Sequence, residues 1–533
     1  MFMQIRWQPS ALIWVISSSP VPDFNMSRRR RSRNSSPSPA GNHLPPGMEG
    51  GRFQPLSSDE VEKIHLAAVK VLGETGVQIQ EGECRQILMN AGARLDKSSS
   101  RVLFAPEMIL RALSTINREV VLYSRDGSMD LHLSGKRVHM GTGGAAVTVL
   151  DLYSGNIRDS RLLDLFDIGR LVDTLHHIHF YLRPVVARDL DNDVIDVNTF
   201  YACLAATRKH VMGGCYFADK VADIKEMAVM LAGSEEAFLS RPFISMNLGF
   251  MVSPLRFATE TVETLTAAIR AGIPVSLVSA PLAGATAPAA LAGTLVQVVA
   301  EELAGIVYAQ LLKPGHPILM GGMPLVVDLR TGNMIAGTAE LALMNAAAAQ
   351  MAHYYGLPIY NSCGLTESKL PDIQAGFEKG LTSAVTALAG AQFNHHSAGM
   401  LESMLAVAYE QYVIDDDING QVLRLVRGIE VNESTLSTEV IRDVCLGDGH
   451  FLGHPQTLEL MNSEFHYPHT ADRASRADWL SAGGASMRDR ARDHARKVLD
   501  THFPIYIPEE QDSEIRSRFP IELAEASMKA AGS

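Results

Sequence analysis

The chain has 533 residues, 46% of them hydrophobic and 20% charged, with a mean hydropathy of +0.04, a composition able to bury a large core and unlike that of a disordered chain. A net charge of −12 and a pI near 5.8 argue against nucleic acid or an anionic membrane as the main partner, since both attract basic surfaces. Five scattered cysteines, Cys84, Cys203, Cys215, Cys363 and Cys445, with no C-x-x-C pair, signal neither a disulfide framework nor a thiolate zinc site and point to the cytoplasm.

Residues 1–51 form a regime of their own. Ala11 to Ile16 is apolar but too short to span a membrane, and no small-residue cleavage site follows it. The basic run Arg28 to Arg33 leads into Ser/Pro/Gly-rich sequence, read as a disordered tail with Met26 or Met48 as a candidate natural start. From Ser57 the pattern turns helical, with a Ser57-Ser58-Asp59-Glu60 capping signal and Gly76 as a stop. Residues 52–136 are therefore expected to be an amino-terminal helical cap.

Eight short aliphatic runs then recur: Val138 to Gly141, Ile178 to Val186, His210 to Cys215, Phe243 to Asn247, Pro274 to Ser279, Pro317 to Gly321, Pro358 to Cys363 and Ala391 to His396. The intervals between them hold a helix and two loops each, the period of repeated βα units. Phe257 to Ala271, Ala289 to Leu312, Thr338 to Tyr355 and Ile373 to Leu388 are rich in strong helix formers. Gly272-Ile273-Pro274, Pro314-Gly315-His316-Pro317 and Gly356-Leu357-Pro358 close helices and open strands. The expected fold is α/β, a (β/α)8 barrel of the triosephosphate-isomerase type over residues 137–485, with 400–485 as extensions. A charged helix from Met487 to Thr501 opens a carboxyl-terminal helical arm over 486–533, read as a peripheral or subunit contact. A doubly wound open sheet is the alternative, because periodicity does not reveal closure.

In a barrel of this kind the chemistry sits at the carboxyl ends of the strands. After the first comes Gly141-Thr142-Gly143, a turn that lets backbone approach a phosphate or a flat cofactor, although its spacing is not a nucleotide fingerprint, so S-adenosylmethionine and NAD are not expected. Later ends offer Arg183, Tyr216, Asn247, Ser279 with Gly284 beyond it, and an Asp328–Arg330 pair read as the ion pair of a turn. The seventh breaks into the densest polar run in the chain, with Asn361, Ser362, Thr366, Glu367 and Lys369. The eighth ends in His395-His396, of which strand alternation directs at most one inward. No H-x-x-x-H or H-E-x-x-H pattern supports zinc. His450 and His454 lie farther on, in a stretch without helical pattern, as candidates to cap a cofactor.

The motifs APLAGATAPAALAGTLVQ at Ala280 to Gln297, DLRTG at Asp328 to Gly332, GLTESKLPDIQAG at Gly364 to Gly376, SAGMLES at Ser397 to Ser403 and GHFLGH at Gly449 to His454 resemble the trimethylamine methyltransferase family. The resemblance covers about Leu56 to Pro508. It implies methyl transfer from a tertiary or quaternary amine to the reduced cobalt of a separate corrinoid protein, the chain itself using neither S-adenosylmethionine nor zinc. Founding members of the family carry pyrrolysine, where this chain reads through on ordinary residues, the equivalent position falling close to the Gly364-Leu365-Thr366 turn. That departure favours a quaternary ammonium, which already bears its charge and leaves as a neutral amine. Glycine betaine leads, with proline betaine, carnitine, choline and trimethylamine as alternatives.

Under this reading Tyr216, Phe250, Tyr360 and Phe393 are candidates to cage the ammonium, with Arg183, Asn247, Asn361, Thr366 and His396 for the rest of the substrate. Glu367 and His396 are the catalytic candidates, and Gly141, Thr142, Gly143, Ser279, Gly284, His450 and His454 face the corrinoid. The partners expected are a methylated amine, a corrinoid protein and further copies of the chain. The competing readings are a corrinoid-independent lyase or hydrolase using Glu367, Lys369 and His396 as acid and base, and a betaine-binding protein without turnover.

Overall fold

The structure is a computed structural model that describes residues 47–530, all within one compact unit. The basic run, the short apolar stretch and most of the expected tail lie outside the described residues. The last part of that tail is ordered: Met48–Glu49 pairs antiparallel with Val138 and Arg137. Here the glycines that suggested disorder serve close approach, since a Cβ at Gly50 would meet the Ala387 carbonyl at 2.6 Å.

The eight runs are eight strands: β1 (Arg137–Met140), β2 (Phe180–Leu182), β3 (His210–Gly213), β4 (Ile244–Leu248), β5 (Val275–Ser279), β6 (Ile318–Gly322), β7 (Tyr360–Ser362) and β8 (Phe393–His395). Each is followed by a helix: α1 (Leu162–Asp173), α2 (Asn192–Ala206), α3 (Lys220–Ala232), α4 (Thr259–Ala271), α5 (Leu291–Leu312), α6 (Ala339–Tyr355), α7 (Ile373–Ala389) and α8 (Tyr409–Arg427). Left-handed Gly272, Gly356 and Gly390 end α4, α6 and α7. Thr338 and Asp372 cap the starts of α6 and α7 by accepting from Leu341 N and Ala375 N.

Strands β2 to β6 form one parallel sheet in chain order. Strands β7, β8 and β1 form a second, also parallel. Single parallel bridges, Gly141 to Phe180 and Met320 to Ile359, join β1 to β2 and β6 to β7. Phe180, Leu182, Met212, Leu319, Tyr360 and Phe393, drawn from five of these strands, share one buried cluster with Val120, Leu122, Leu131 and Leu133. The last four belong to or flank the hairpin Val121–Leu122/Leu131–His132. This hairpin covers the amino ends of the strands: His139 Nε2 lies 3.1 Å from the His132 carbonyl, Arg125 N donates to Arg208 O, and Arg241 pairs with Asp130 at 2.8 Å.

The segment expected to be a helical cap mixes helix and strand. Helix Ser58–Glu74 opens with the reciprocal Ser57–Glu60 cap, and Glu83–Asn90 and Pro106–Thr115 follow. Between them Val77–Gln78, Arg94–Asp96 and Arg101–Leu103 pair antiparallel, strands of two or three residues, too short for alternation to be read from sequence. Helix Met487–Thr501 matches its expected bounds and is tied to α1 by Arg170, which donates to the Leu499 and His502 carbonyls. Helix α5 is long and apolar enough to cross a membrane, yet 83% of its apolar window is buried within the fold, as a core helix must be. All five cysteines are unpaired.

Candidate active site

At the carboxyl end of β2, Arg183 is buried with 7% exposure. Its Nη1 donates to the Tyr216 hydroxyl at 3.2 Å, its guanidinium carbon lies 5.5 Å from the Tyr216 ring centre, and its Nε has no hydrogen-bond partner. Gly214 lies alongside, where a Cβ would come into ordinary van der Waals contact with Nη2 at 3.4 Å. No carboxylate pairs with Arg183 among the described residues. The acid that senses it, Asp196, is held by the backbone N–H groups of Tyr216 and Phe217. A buried guanidinium without an anion is costly, so this position is suited to an incoming carboxylate.

Beside it stands a column of rings. Phe180 stacks on Phe393 at 3.6 Å, Phe393 neighbours Tyr360 at 5.7 Å, and Tyr360 stacks on His395 at 3.8 Å. Phe393 is fully buried within the strand cluster, a floor for the rings beyond it rather than a free wall. Phe250 packs on Gly305 and Phe257, in the core. Tyr360 is buried, which pushes its hydroxyl pKa up, against the opposing effects of the adjacent Asn247 side chain and the Arg183 charge. Asn247 Oδ1 is buried and unpartnered.

Of the His395-His396 pair the sequence reading takes His396 as the site residue, although it is His395 that shares the inward face of β8 with Phe393, two residues earlier. Both of its ring nitrogens are buried without a partner, and burial holds its pKa well below the usual histidine range. A neutral imidazole therefore offers one donor and one acceptor that the protein leaves unused. The expectation that at most one of His395 and His396 turns inward rests on strand alternation, which ends before His396: this residue lies past the strand with a left-handed φ of 65°. The two rings end 3.9 Å apart. His396 Nδ1 meets Ser362 Oγ at 2.9 Å, and burial, reinforced by Lys379, pushes its pKa down to about 3.

Several other candidates are committed to structure. Asn361 faces α6, its Nδ2 donating to the Asn345 carbonyl at 2.7 Å, because alternation that turns Tyr360 inward turns Asn361 outward. Thr366 donates to Glu378 at 2.6 Å. The Glu367 carboxylate accepts from Ala336 N at 2.5 Å and from the Ser403 hydroxyl at 2.6 Å, bracing two loops. The Gly141-Thr142-Gly143 turn holds no vacant cradle: a Cβ on Gly141 would strike the Phe180 ring at 2.2 Å, one on Gly143 would meet His396 N at 3.0 Å, and Thr142 donates to the Leu182 carbonyl at 2.6 Å. Ser279 donates to Glu301 at 2.5 Å. Gly284 takes a left-handed turn beneath Leu329. His454, read as lacking a local helix, caps one: its Nδ1 accepts from Gln456 N at the start of Pro455–Leu460. With His450 it lines a recess of about 280 Å³ among Asp443, Gly447 and Pro455. Asp328 and Arg330 form the expected turn ion pair at 2.8 Å. No group of three or more His, Cys, Asp or Glu able to hold a metal occurs among the described residues.

Comparison with known proteins gives this arrangement a lineage. Residues 26–522 match the family described as Trimethylamine methyltransferase (MTTB). The chain is 33% identical over 470 residues to the trimethylamine methyltransferase MttB of Desulfitobacterium hafniense (strain DSM 10664 / DCB-2), covering 88% of this chain and 94% of that protein. It is 34% identical to MttB of Methanosarcina barkeri, covering 85% and 92%, and 29% identical to a glycine betaine methyltransferase of D. hafniense (strain Y51), covering 87% and 96%. The chain belongs to the trimethylamine methyltransferase family and is a methyltransferase.

Proposed function

We propose that the eight βα units close as a (β/α)8 barrel and that its carboxyl-end face moves a methyl group from a carboxylate-bearing quaternary ammonium, glycine betaine or a close relative, to the cobalt of a separate corrinoid protein. The cyclic order of strand pairings and the cluster shared by five strands support the barrel. The observation that carries the substrate is Arg183: trimethylamine has nothing to offer a buried, unpaired guanidinium, whereas a betaine carboxylate satisfies it. We assign the reaction to the cytoplasm.

Reduced cobalt supplies the nucleophile. This chain's part is to bind, align and keep out water. Arg183 anchors the carboxylate with the Tyr216 hydroxyl beside it, and the ammonium lies beside the ring column at its His395 end, where the buried imidazole leaves both nitrogens without a partner. The rings are neutral, His395 and His396 because burial denies them a proton and Tyr360 because burial keeps its own. Neutral, poorly solvated rings beside the ammonium favour a step in which a cation leaves as an uncharged amine. The acid–base alternative is disfavoured by the low His396 pKa and by the hydrogen bonds that occupy Glu367.

Calorimetric titration with glycine betaine, choline and trimethylamine tests the binding half. Glycine betaine is expected to bind wild type and to lose affinity in Arg183→Gln. Equal binding of all three, unchanged by that substitution, overturns the assignment.

A further inference from the structure

Helix α7 is inverted in polarity. Its two charged residues, Glu378 and Lys379, are buried, as are Thr382, Ser383 and Thr386. Its outward face carries Ile373 at 91% exposure, Phe377 at 65% and Leu381 at 38%. These recur every fourth residue, so they form one ridge. Helices α6 and α8 already pack along the other sides of α7. Between the ridge residues lie Gly376 and Gly380, with no atom within 4 Å of where a Cβ would stand, so nothing within the chain requires glycine there, although each weakens a helix.

Leu370 and Leu405 enlarge the face from two loops joined by Glu402 N donating to the Ser368 carbonyl. Taking about 150 to 200 Å² for a whole large side chain, these five expose on the order of 500 Å² of apolar surface, the size of the largest patch that a monomer ordinarily leaves in water. A stable interface takes about 800 Å² from each partner. The exposed Gln374 and Gly376 and the half-buried Gly380 between them bring the face toward that size.

We propose that the α7 face is a two-fold interface with a second copy of this chain. The ridge of Ile373, Phe377 and Leu381 and the open grooves at Gly376 and Gly380 sit on one helix, so the face is complementary to itself, as an isologous contact requires. Its ridge residues carry no charge, and the exposed charges at its edge, Lys369 and Asp372, are opposite in sign. A corrinoid protein that departs after each transfer would leave the ridge in water for much of every cycle, whereas a second copy covers it throughout. The proposal does not depend on the substrate assignment.

Sedimentation of the full chain tests it, with Phe377→Glu as the disrupting variant and Gly376→Cys in a Cys445→Ser background as the positive one. Wild type is expected to run at twice its 57.9 kDa mass, Phe377→Glu as a monomer with unchanged circular dichroism, and the Gly376→Cys pair to oxidise to a covalent dimer, since facing Cα atoms must lie within about 7 Å. A monomeric wild type overturns the proposal, also where Phe377→Glu impairs capture of the corrinoid protein. So does a dimer that survives Phe377→Glu and forms no crosslink, since its interface then lies elsewhere.

Discussion

Lys379 Nζ lies 3.2 Å from Asp415 Oδ2, with neither side chain exposed. The pair links α7 to α8. Lys379 also donates to the carbonyls of Gly364 and Met400, and Asp415 accepts from Gly399 N at 2.7 Å and Gln411 Nε2 at 2.8 Å. The loops after β7 and β8 are thereby fastened to each other through buried charge. Removing one partner leaves the other uncompensated, at a cost of about 3 to 5 kcal/mol, whereas replacing both with apolar residues is often tolerated. Lys379→Met is accordingly expected to lower the denaturation midpoint sharply and Lys379→Met/Asp415→Leu to recover much of the loss. Equal damage from the single and double variants would contradict this.

Arg183→Gln removes a charged donor and leaves a shape that still fills the space. Hydrogen bonds to charged groups contribute about 1.5 to 3 kcal/mol, so kcat/KM for glycine betaine is expected to fall by about one to two orders of magnitude. Tetramethylammonium, which has no carboxylate, should be affected within about threefold. Initial rates with the two donors measure the difference.

Glu367 is expected to act by position. Glu367→Ala leaves the Ala336 amide and the Ser403 hydroxyl without their acceptor, costing about 1 to 3 kcal/mol of stability and raising KM more than it lowers kcat. Glu367→Gln keeps an acceptor and should fall within about threefold of wild type. A folded Glu367→Gln protein without turnover would restore an acid–base role.

Buried histidines give stability a pH dependence of known sign. Burial pushes His139 and His396 down to about 3 and His210, His316 and His353 down to about 4. Below about pH 6.5 the unfolded chain takes up protons that the folded chain refuses, so stability falls as pH drops from there toward these values, by up to about 1.4 kcal/mol per unit for each group. Denaturation midpoints at pH 7, 6 and 5 should decline steadily, and His353→Gln should decline less steeply. A midpoint constant down to pH 5 would contradict the assignment.

The eight strands were legible because strands covered on both faces read as unbroken aliphatic runs, and Gly272 and Gly356 marked helix ends that left-handed backbone confirms. The site was legible only as a region. Alternation along β7 would have separated inward Tyr360 from outward Asn361, but alternation fails one residue past β8, where left-handed His396 brings its ring beside His395. Glu367 and Thr366 drew notice for their polarity, which is consumed by Ala336, Ser403 and Glu378. Lys379 and Asp415 sit 36 positions apart, and nothing in either local pattern announces a buried pair.

The most direct test of the account is a single-turnover competition. Purified protein and reduced corrinoid protein are mixed with equal glycine betaine and trimethylamine carrying distinguishable methyl isotopes, and the methylated corrinoid is read by mass spectrometry. The account predicts that the label comes from glycine betaine by at least about tenfold in wild type, a difference of roughly 1.4 kcal/mol, and that Arg183→Gln erases the preference. Label drawn mainly from trimethylamine, or no methylation from either, would contradict it.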